Sequence, residues 1–215
     1  MNFKGAIFDL DGTLVDSLGV WAKIDIDFLG KRNLKVPKDY AKNISALSFR
    51  EIAHYTKELF ALADDIEDML AEWSDMAISE YSHNIWLKPN AKEYLEKLKS
   101  HNISIALATS TSRALYEPVL KNNGVYDMFD AFCGAEDVAS GKNSPDIFLL
   151  AAERLCLSPK DCIVFEDLIQ GIQSAKIAGM LAFAVYDKYC NKSQEEMKAE
   201  ADRYIYDFKD APMPK

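Results

Sequence analysis

The stretch "GAIFDLDGTLVDS", Gly5 to Ser17, sets a strand-length apolar run directly against three aspartates, Asp9, Asp11 and Asp16. A short apolar run bounded by turn formers reads as a buried strand. Asp9 and Asp11 then stand at the mouth of that strand. The rest of the chain decides whether this is a turn or a site.

Similar runs recur at "ISIALA" (103–108), "AFC" (131–133), "CIVF" (162–165), "LAFAV" (181–185) and "RYIY" (203–206). Helical patterns lie between them: "NAKEYLEKLKSHN" puts Ala91, Tyr94, Leu95 and Leu98 on one face, and "PDIFLLAAERLCL" and "LIQGIQSAKIAG" behave alike, the last stopping at Gly179. Strands alternating with helices predict an α/β fold with a doubly wound parallel sheet. More than seventy residues separate the first strand from the helix near Pro89, where a connection of a few residues is usual. Residues 16–87 are therefore read as an inserted all-helical domain, and 1–15 with 88–215 as the core. Within the insert, "DDIEDMLAEWSDMAISEY" carries an Ile66, Met69, Leu70, Trp73, Met76 and Ala77 stripe, with Asp64 as the expected cap and Glu67 three residues on. Asp16 or Ser17 is a candidate cap for the first inserted helix. Pro118 inside "RALYEPVLKNNG" predicts a late helix start or a kink.

Composition narrows the chemistry. Lys and Arg number 25 against 34 Asp and Glu, a net charge of −9, which disfavours nucleic acid because its phosphates need a basic face. Cys133, Cys156, Cys162 and Cys190 show no CxxC or zinc spacing and are read as reduced, packed thiols. His54, His83 and His101 lack a metal or triad context. A secretory leader is not expected ahead of the first strand, and no apolar run reaches membrane-spanning length. A soluble, cytoplasmic, monomeric protein is expected, acting on a small molecule without nucleic-acid or membrane partners.

In an open parallel sheet the ligand crevice lies beyond the carboxyl ends of the strands. There the sequence places Asp9 and Asp11, then Thr109 and Ser110, then Lys142 in "SGKNSPD", then Glu166 and Asp167. Several carboxylates at one edge repel one another unless a hard cation sits among them, so Mg²⁺ is expected, with room in its shell for a phosphate. Lys142 adds a second positive charge, and Ser144 with Pro145 would aim a helix N-terminus at the same anion. Thr109 can donate a hydroxyl. These groups suit phosphoryl transfer, with Asp9 as nucleophile and Asp11 as acid and base. A calcium-loop reading fails on Leu14 and Val20, and a P-loop reading fails on Glu136 and Asn143.

Together "DLDGTLVDS", "LATS", Lys142 in "SGKNSPDIF" and "VFEDLIQGIQSAKIAG" closely resemble the four motifs of the haloacid dehalogenase-like (HAD) phosphatase superfamily, in the branch with a helical cap after the first motif that includes β-phosphoglucomutase-like and phosphoglycolate-phosphatase-like proteins. The resemblance implies a Rossmann-like core and an aspartyl-phosphate intermediate on Asp9. It further implies metal ligation by Asp9, the Asp11 carbonyl and Asp167 with Glu166 close by, and phosphate contacts from Thr109 and Lys142. It also implies a cap that opens and closes on hinges near Asp16 and Leu87. Asp11 argues against dehalogenation. Mutase relatives carry a histidine early in the cap, where this chain has Gly19, Val20 and Trp21, and phosphonatase relatives carry a cap lysine, which 58–87 lack. Arg50 in "LSFREI" is a candidate for a second phosphate contact, and Trp21 for substrate contact; otherwise Arg50 pairs with an acid and Trp21 is core. The expectation is a Mg²⁺-dependent phosphatase for a sugar or nucleotide phosphate. A sugar-phosphate mutase is the second reading and a non-catalytic phospho-ligand sensor the third.

Overall fold

The computed structural model describes residues 3–44, 47, 49–138, 142, 144–189 and 194–213, so Cys190 and, within the Lys142 loop, Ser140, Gly141 and Asn143 lie outside the described residues. Six strands, β1 (Gly5–Phe8), β2 (Ser104–Ala108), β3 (Ala131–Cys133), β4 (Cys162–Glu166), β5 (Leu181–Val185) and β6 (Arg203–Ile205), form one sheet in the order β3-β2-β1-β4-β5-β6, every pair parallel. The strand order turns back at β1. The carboxyl end of β1 therefore opens into the crevice of a doubly wound sheet.

The helices of this unit are α5 (Ala91–Ser100), α6 (Arg113–Asn122), α7 (Asp146–Arg154), α8 (Ile169–Ile177) and α9 (Gln194–Glu200). Alternation along each strand gives the sheet two unlike faces. On one, small side chains such as Ala106, Ala108, Ala182 and Ala184 pack with Ile147, Phe148 and Ala151 of α7 and Ile172 and Ala175 of α8. On the other, Phe8 stacks on Phe165 with centroids 4.8 Å apart, and Tyr94 of α5 meets Phe165 edge-on at 5.5 Å. Each such buried ring removes enough apolar surface to contribute roughly 2–3 kcal/mol. β1 and β4 are buried at every position, which explains their unbroken apolar sequence.

The chain divides into two compact units, one of Met1–Leu18 with Ile85–Lys215 and one of Gly19–Asn84. Residues 16–18 and 85–87 stay with the sheet unit because backbone pairing ties them there: Val15 bridges Leu87, the Asp16 N–H donates to the Trp86 carbonyl at 3.1 Å and the Lys88 N–H to the Leu14 carbonyl at 2.8 Å.

The second unit contains α1 (Val20–Lys31), α2 (Tyr40–Ile44), α3 (Phe49–Phe60) and α4 (Ile66–His83). Met69, Trp73, Ala77 and Tyr81 form the buried stripe of α4, and Trp73 packs edge-on against Phe28 of α1 at 5.1 Å. Asp64 does not cap α4. Asp65 holds that position, because the Asp64 carboxylate is drawn 2.5 Å from the Arg32 guanidinium. The first inserted helix likewise starts after Gly19 rather than after Asp16 or Ser17. Asp16 pairs with Lys188 at 2.9 Å and Ser17 turns to Asp11. Helix α6 already begins at Arg113, so Pro118 lies inside it and the late start is not observed; the proline ring removes one N–H donor from the ladder. Cys133 and Cys162 are buried, but Cys156 is exposed, since it follows α7 with φ of 56° and turns away from the core. No described helix is long and apolar enough to cross a membrane.

A cavity of about 250 Å³ within the helical unit is lined by Trp21, Ile24, Asp25, Ile44, Phe49, Ile52 and Trp73. Burial pushes the Asp25 carboxyl up to about 6. A folded-state pKa above the unfolded value gives stability that is full below about pH 4 and is lost as the pH rises through about 6. Asp25→Asn is therefore expected to stabilise the chain at pH 7 by about 1 kcal/mol, after allowance for solvent at a partly exposed carboxyl. Chemical denaturation at pH 7 and at pH 4 checks this: the gain should vanish at the lower pH, and an equal gain at both would rule out the charge as its cause.

Candidate active site

Register brings the predicted side chains together. Phe8 lies level with Phe165 of β4, so Asp9 and Glu166 leave neighbouring strands side by side. The Asp9 N–H donates to the Phe165 carbonyl at 3.0 Å, and the Thr109 N–H to the Cys133 carbonyl at 2.9 Å, extending the ladder by one residue past each strand. Asp9, Thr109, Glu166 and Asp167 are all buried, the last three at 1% exposure or less.

One carboxylate oxygen each from Asp9, Glu166 and Asp167 lies within 4.8 Å of the others. Lys142 reaches into this group: its ammonium pairs with Asp9 and stands 2.7 Å from Glu166 Oε2. Glu166 Oε1 accepts the backbone N–H groups of Asp167 and Leu168, both at 3.0 Å, which fixes the turn leading into α8. Its Oε2 accepts no aligned hydrogen bond despite the nearby lysine. Asp167 Oδ1 accepts from the Thr13 hydroxyl at 3.1 Å.

Burial holds the Asp9 carboxyl well above the usual carboxylate range; Lys142 opposes this, while Glu166, Asp167 and Asp11 reinforce it. Burial lowers Lys142, yet its pairing with Asp9 and Glu166 more than offsets that and keeps it an ammonium. Among the described residues three buried carboxyl groups crowd one ammonium, so acid outnumbers base at this edge. That excess, an oxygen-only donor set and the unaligned Glu166 Oε2 fit a hard divalent cation.

Asp11 lies outside this trio. Its carboxylate is held by the Ser17 hydroxyl at 2.6 Å and by the Thr111 hydroxyl. The Thr109 Oγ accepts the Thr111 N–H at 3.1 Å, so the β2 loop is shaped around it. Ser110 is exposed. Ser144 does not cap α7: the helix starts at Asp146 and Pro145 holds the cap position with helical angles, its carbonyl accepting the N–H groups of Phe148 and Leu149 at 3.0 Å, while Ser144 Oγ is a long 3.4 Å from the Asp146 N–H. Arg50, in the helical unit, is exposed and engaged by both oxygens of Glu67, at 2.6 and 3.2 Å. Trp21 is 42% exposed and meets Phe49 edge-on.

Sequence reasoning passed over the supporting hydroxyls. Thr13, Ser17 and Thr111 fix acids, and the Ser174 hydroxyl of α8 donates to the Lys142 carbonyl at 2.7 Å, tying the lysine's loop down. The legible signal for Ser174 was a polar residue on the buried face of α8, beside Gly171, Ile172 and Ala175. Two glycines are also set by the acids. Gly12 has φ of +80°, and a Cβ there would strike the Asp167 carboxylate; a Cβ at Gly171 would strike that of Glu166.

The profile of the haloacid dehalogenase-like hydrolase family matches residues 6–185. The chain belongs to the haloacid dehalogenase-like hydrolase family. Among relatives of this haloacid dehalogenase-like hydrolase, β-phosphoglucomutase of Bacillus subtilis (strain 168) is 34% identical over 192 residues, 85% of this chain and 83% of that one. Fructose-1-phosphate phosphatase YqaB of Escherichia coli (strain K12) is 30% identical over 186 residues, covering 86% and 97%. The bifunctional riboflavin kinase/FMN phosphatase of Arabidopsis thaliana is 33% identical over 180 residues, 83% of this chain; the chain spans 47% of that longer protein.

Because Gly171 leaves space for Glu166, Gly171→Ala should push that carboxylate aside and weaken divalent-cation binding about tenfold or more, as loss of a ligand's support does. Calorimetric titration with Mg²⁺, with circular dichroism as the folding control, reads this; unchanged affinity would remove Glu166 from the cation's surroundings.

Proposed function

We propose that the chain hydrolyses a small phosphate monoester through a covalent intermediate on Asp9. The chain is a phosphoric monoester hydrolase. The observation that carries the reading is the buried trio of Asp9, Glu166 and Asp167 with Lys142 among them. Such a charge arrangement is costly without an ionic ligand, and it matches what a phosphoryl group in transit requires.

In the first half-reaction the Asp9 carboxylate attacks phosphorus in line, forming the aspartyl phosphate as the ester oxygen leaves with a proton from the Asp11 carboxyl. In the second, Asp11 takes a proton from water as that water attacks phosphorus, releasing inorganic phosphate and restoring Asp9. The Ser17 and Thr111 hydroxyls orient the Asp11 carboxyl for both transfers. Lys142, paired with Asp9, would neutralise charge on the oxygens of the transferring group, and the Thr109 hydroxyl has a hydrogen to donate to one of them. Asp9 and Asp167, with Glu166 beside them and the Asp11 backbone carbonyl, would hold Mg²⁺, which when bound neutralises the repulsion between a carboxylate nucleophile and a phosphate.

The absence of a histidine at 19–21 supports hydrolysis over phosphosugar isomerisation, and the similarity to a fructose-1-phosphate phosphatase supports a sugar phosphate as substrate class. A screen of phosphorylated metabolites with Mg²⁺ tests this, reading free phosphate against isomerised ester. Chelation should abolish turnover and Mg²⁺ restore it. Asp9→Asn should fold and hydrolyse nothing; activity within about tenfold of the unmodified chain would take Asp9 out of the nucleophile role. Lys142→Ala should lower kcat by about a hundredfold or more, the effect of removing one preorganised charge donor.

A further inference from the structure

The helical unit carries a cavity of its own. Trp21, Phe49 and Trp73 line one cavity of about 250 Å³, with Ile24, Ile44 and Ile52 completing the wall and Asp25 as its single charged member. The rings are set at steep angles: Trp21 to Phe49 at 5.8 Å and 71°, Phe49 to Trp73 at 5.5 Å and 55°. Trp21 and Phe49 remain 42% and 39% exposed, so the cavity is reachable from solvent.

Asp25 has no hydrogen bond or ion pair among the described residues. Five basic side chains of the same unit are engaged elsewhere: Lys23 by Asp27 and Glu80, Lys31 by Glu72, Arg32 by Asp64 and Glu72, Arg50 by Glu67, and Lys57 by the Asp64 carbonyl. A carboxylate in an apolar wall without a partner is destabilising. Burial alone accounts for its raised titration, with no neighbouring cation drawing it down. The indole N–H of Trp73 also lacks an acceptor among the described residues.

From this geometry we propose that the cavity binds the alkylammonium head of a small organic cation, with Asp25 as counter-ion and the faces of Trp21, Phe49 and Trp73 as its walls. Aromatic faces attract cations through their quadrupole, most strongly when solvent is excluded, and Asp25 supplies the full charge that rings alone lack. A neutral group of the same shape would gain the apolar contact but leave the carboxylate desolvated. An anion would meet repulsion. The cavity is smaller than the roughly 300–1,000 Å³ typical of drug-sized ligands, which suits a head group. This inference goes beyond the phosphatase reading and does not depend on it.

The test titrates the full chain with choline and with its neutral carbon isostere, 3,3-dimethylbutan-1-ol, following tryptophan fluorescence and calorimetry. Choline is expected to bind saturably and about tenfold or more tightly than the isostere. Asp25→Asn, folded by circular dichroism, is expected to erase that preference, and Trp21→Ala to weaken choline binding about tenfold. Asp9→Asn is expected to bind choline as the unmodified chain does, so that loss of hydrolysis and loss of cation binding are read separately. Equal binding of choline and isostere would make the cavity an apolar slot only. No saturable choline binding, a preference that survives Asp25→Asn, or binding weakened by Asp9→Asn would each overturn the proposal.

Discussion

Everything at the carboxyl end of the sheet depends on one electrostatic constraint: carboxylates that cannot escape each other share a single lysine. Parallel pairing of β1 with β4 forces Asp9 and Glu166 to emerge level, and neither can swing to solvent because both are buried. Lys142 relieves part of the repulsion by pairing with both. The loops around it are organised to keep that relief in place, through Thr13 on Asp167, backbone N–H groups on Glu166 and Ser174 on the Lys142 carbonyl. The excess of acid over base suits this edge to a hard cation.

The strands were legible because parallel strands buried on both faces read as unbroken apolar runs, and the site because acids directly after such runs have one place to go. Asp9, Thr109 and Asp167 follow strand ends and Glu166 is the last residue of β4, so position along the chain put them at one sheet edge. What was not legible involved choice of partner. Asp64 looked like a cap, but Arg32, distant in sequence, outcompeted the helix start for it. Ser17 looked like a cap and instead braces Asp11. Short polar side chains serve either role, and only tertiary placement decides. Cys156 was read as packed from its residue type, whereas a left-handed turn after α7 exposes it.

The helical unit shows the opposite balance. Its stripe on α4 was clear from periodicity, yet its cavity was not, because Trp21, Asp25, Phe49 and Trp73 come from three separate helices and carry no shared spacing. Arg50, conspicuous in sequence, is occupied by Glu67, while Asp25, inconspicuous, is the acid left facing apolar rings.

Helix α8 has a double attachment. Glu166 holds the two N–H groups just before its first residue, and Ser174, one and a half turns on, grips the Lys142 loop. The spacing between an anion and its counter-cation is thus gauged along one short rod rather than across the sheet. Fraying of that rod would let the two charges drift apart while the strands stay paired, so the centre can fall silent well before the protein melts.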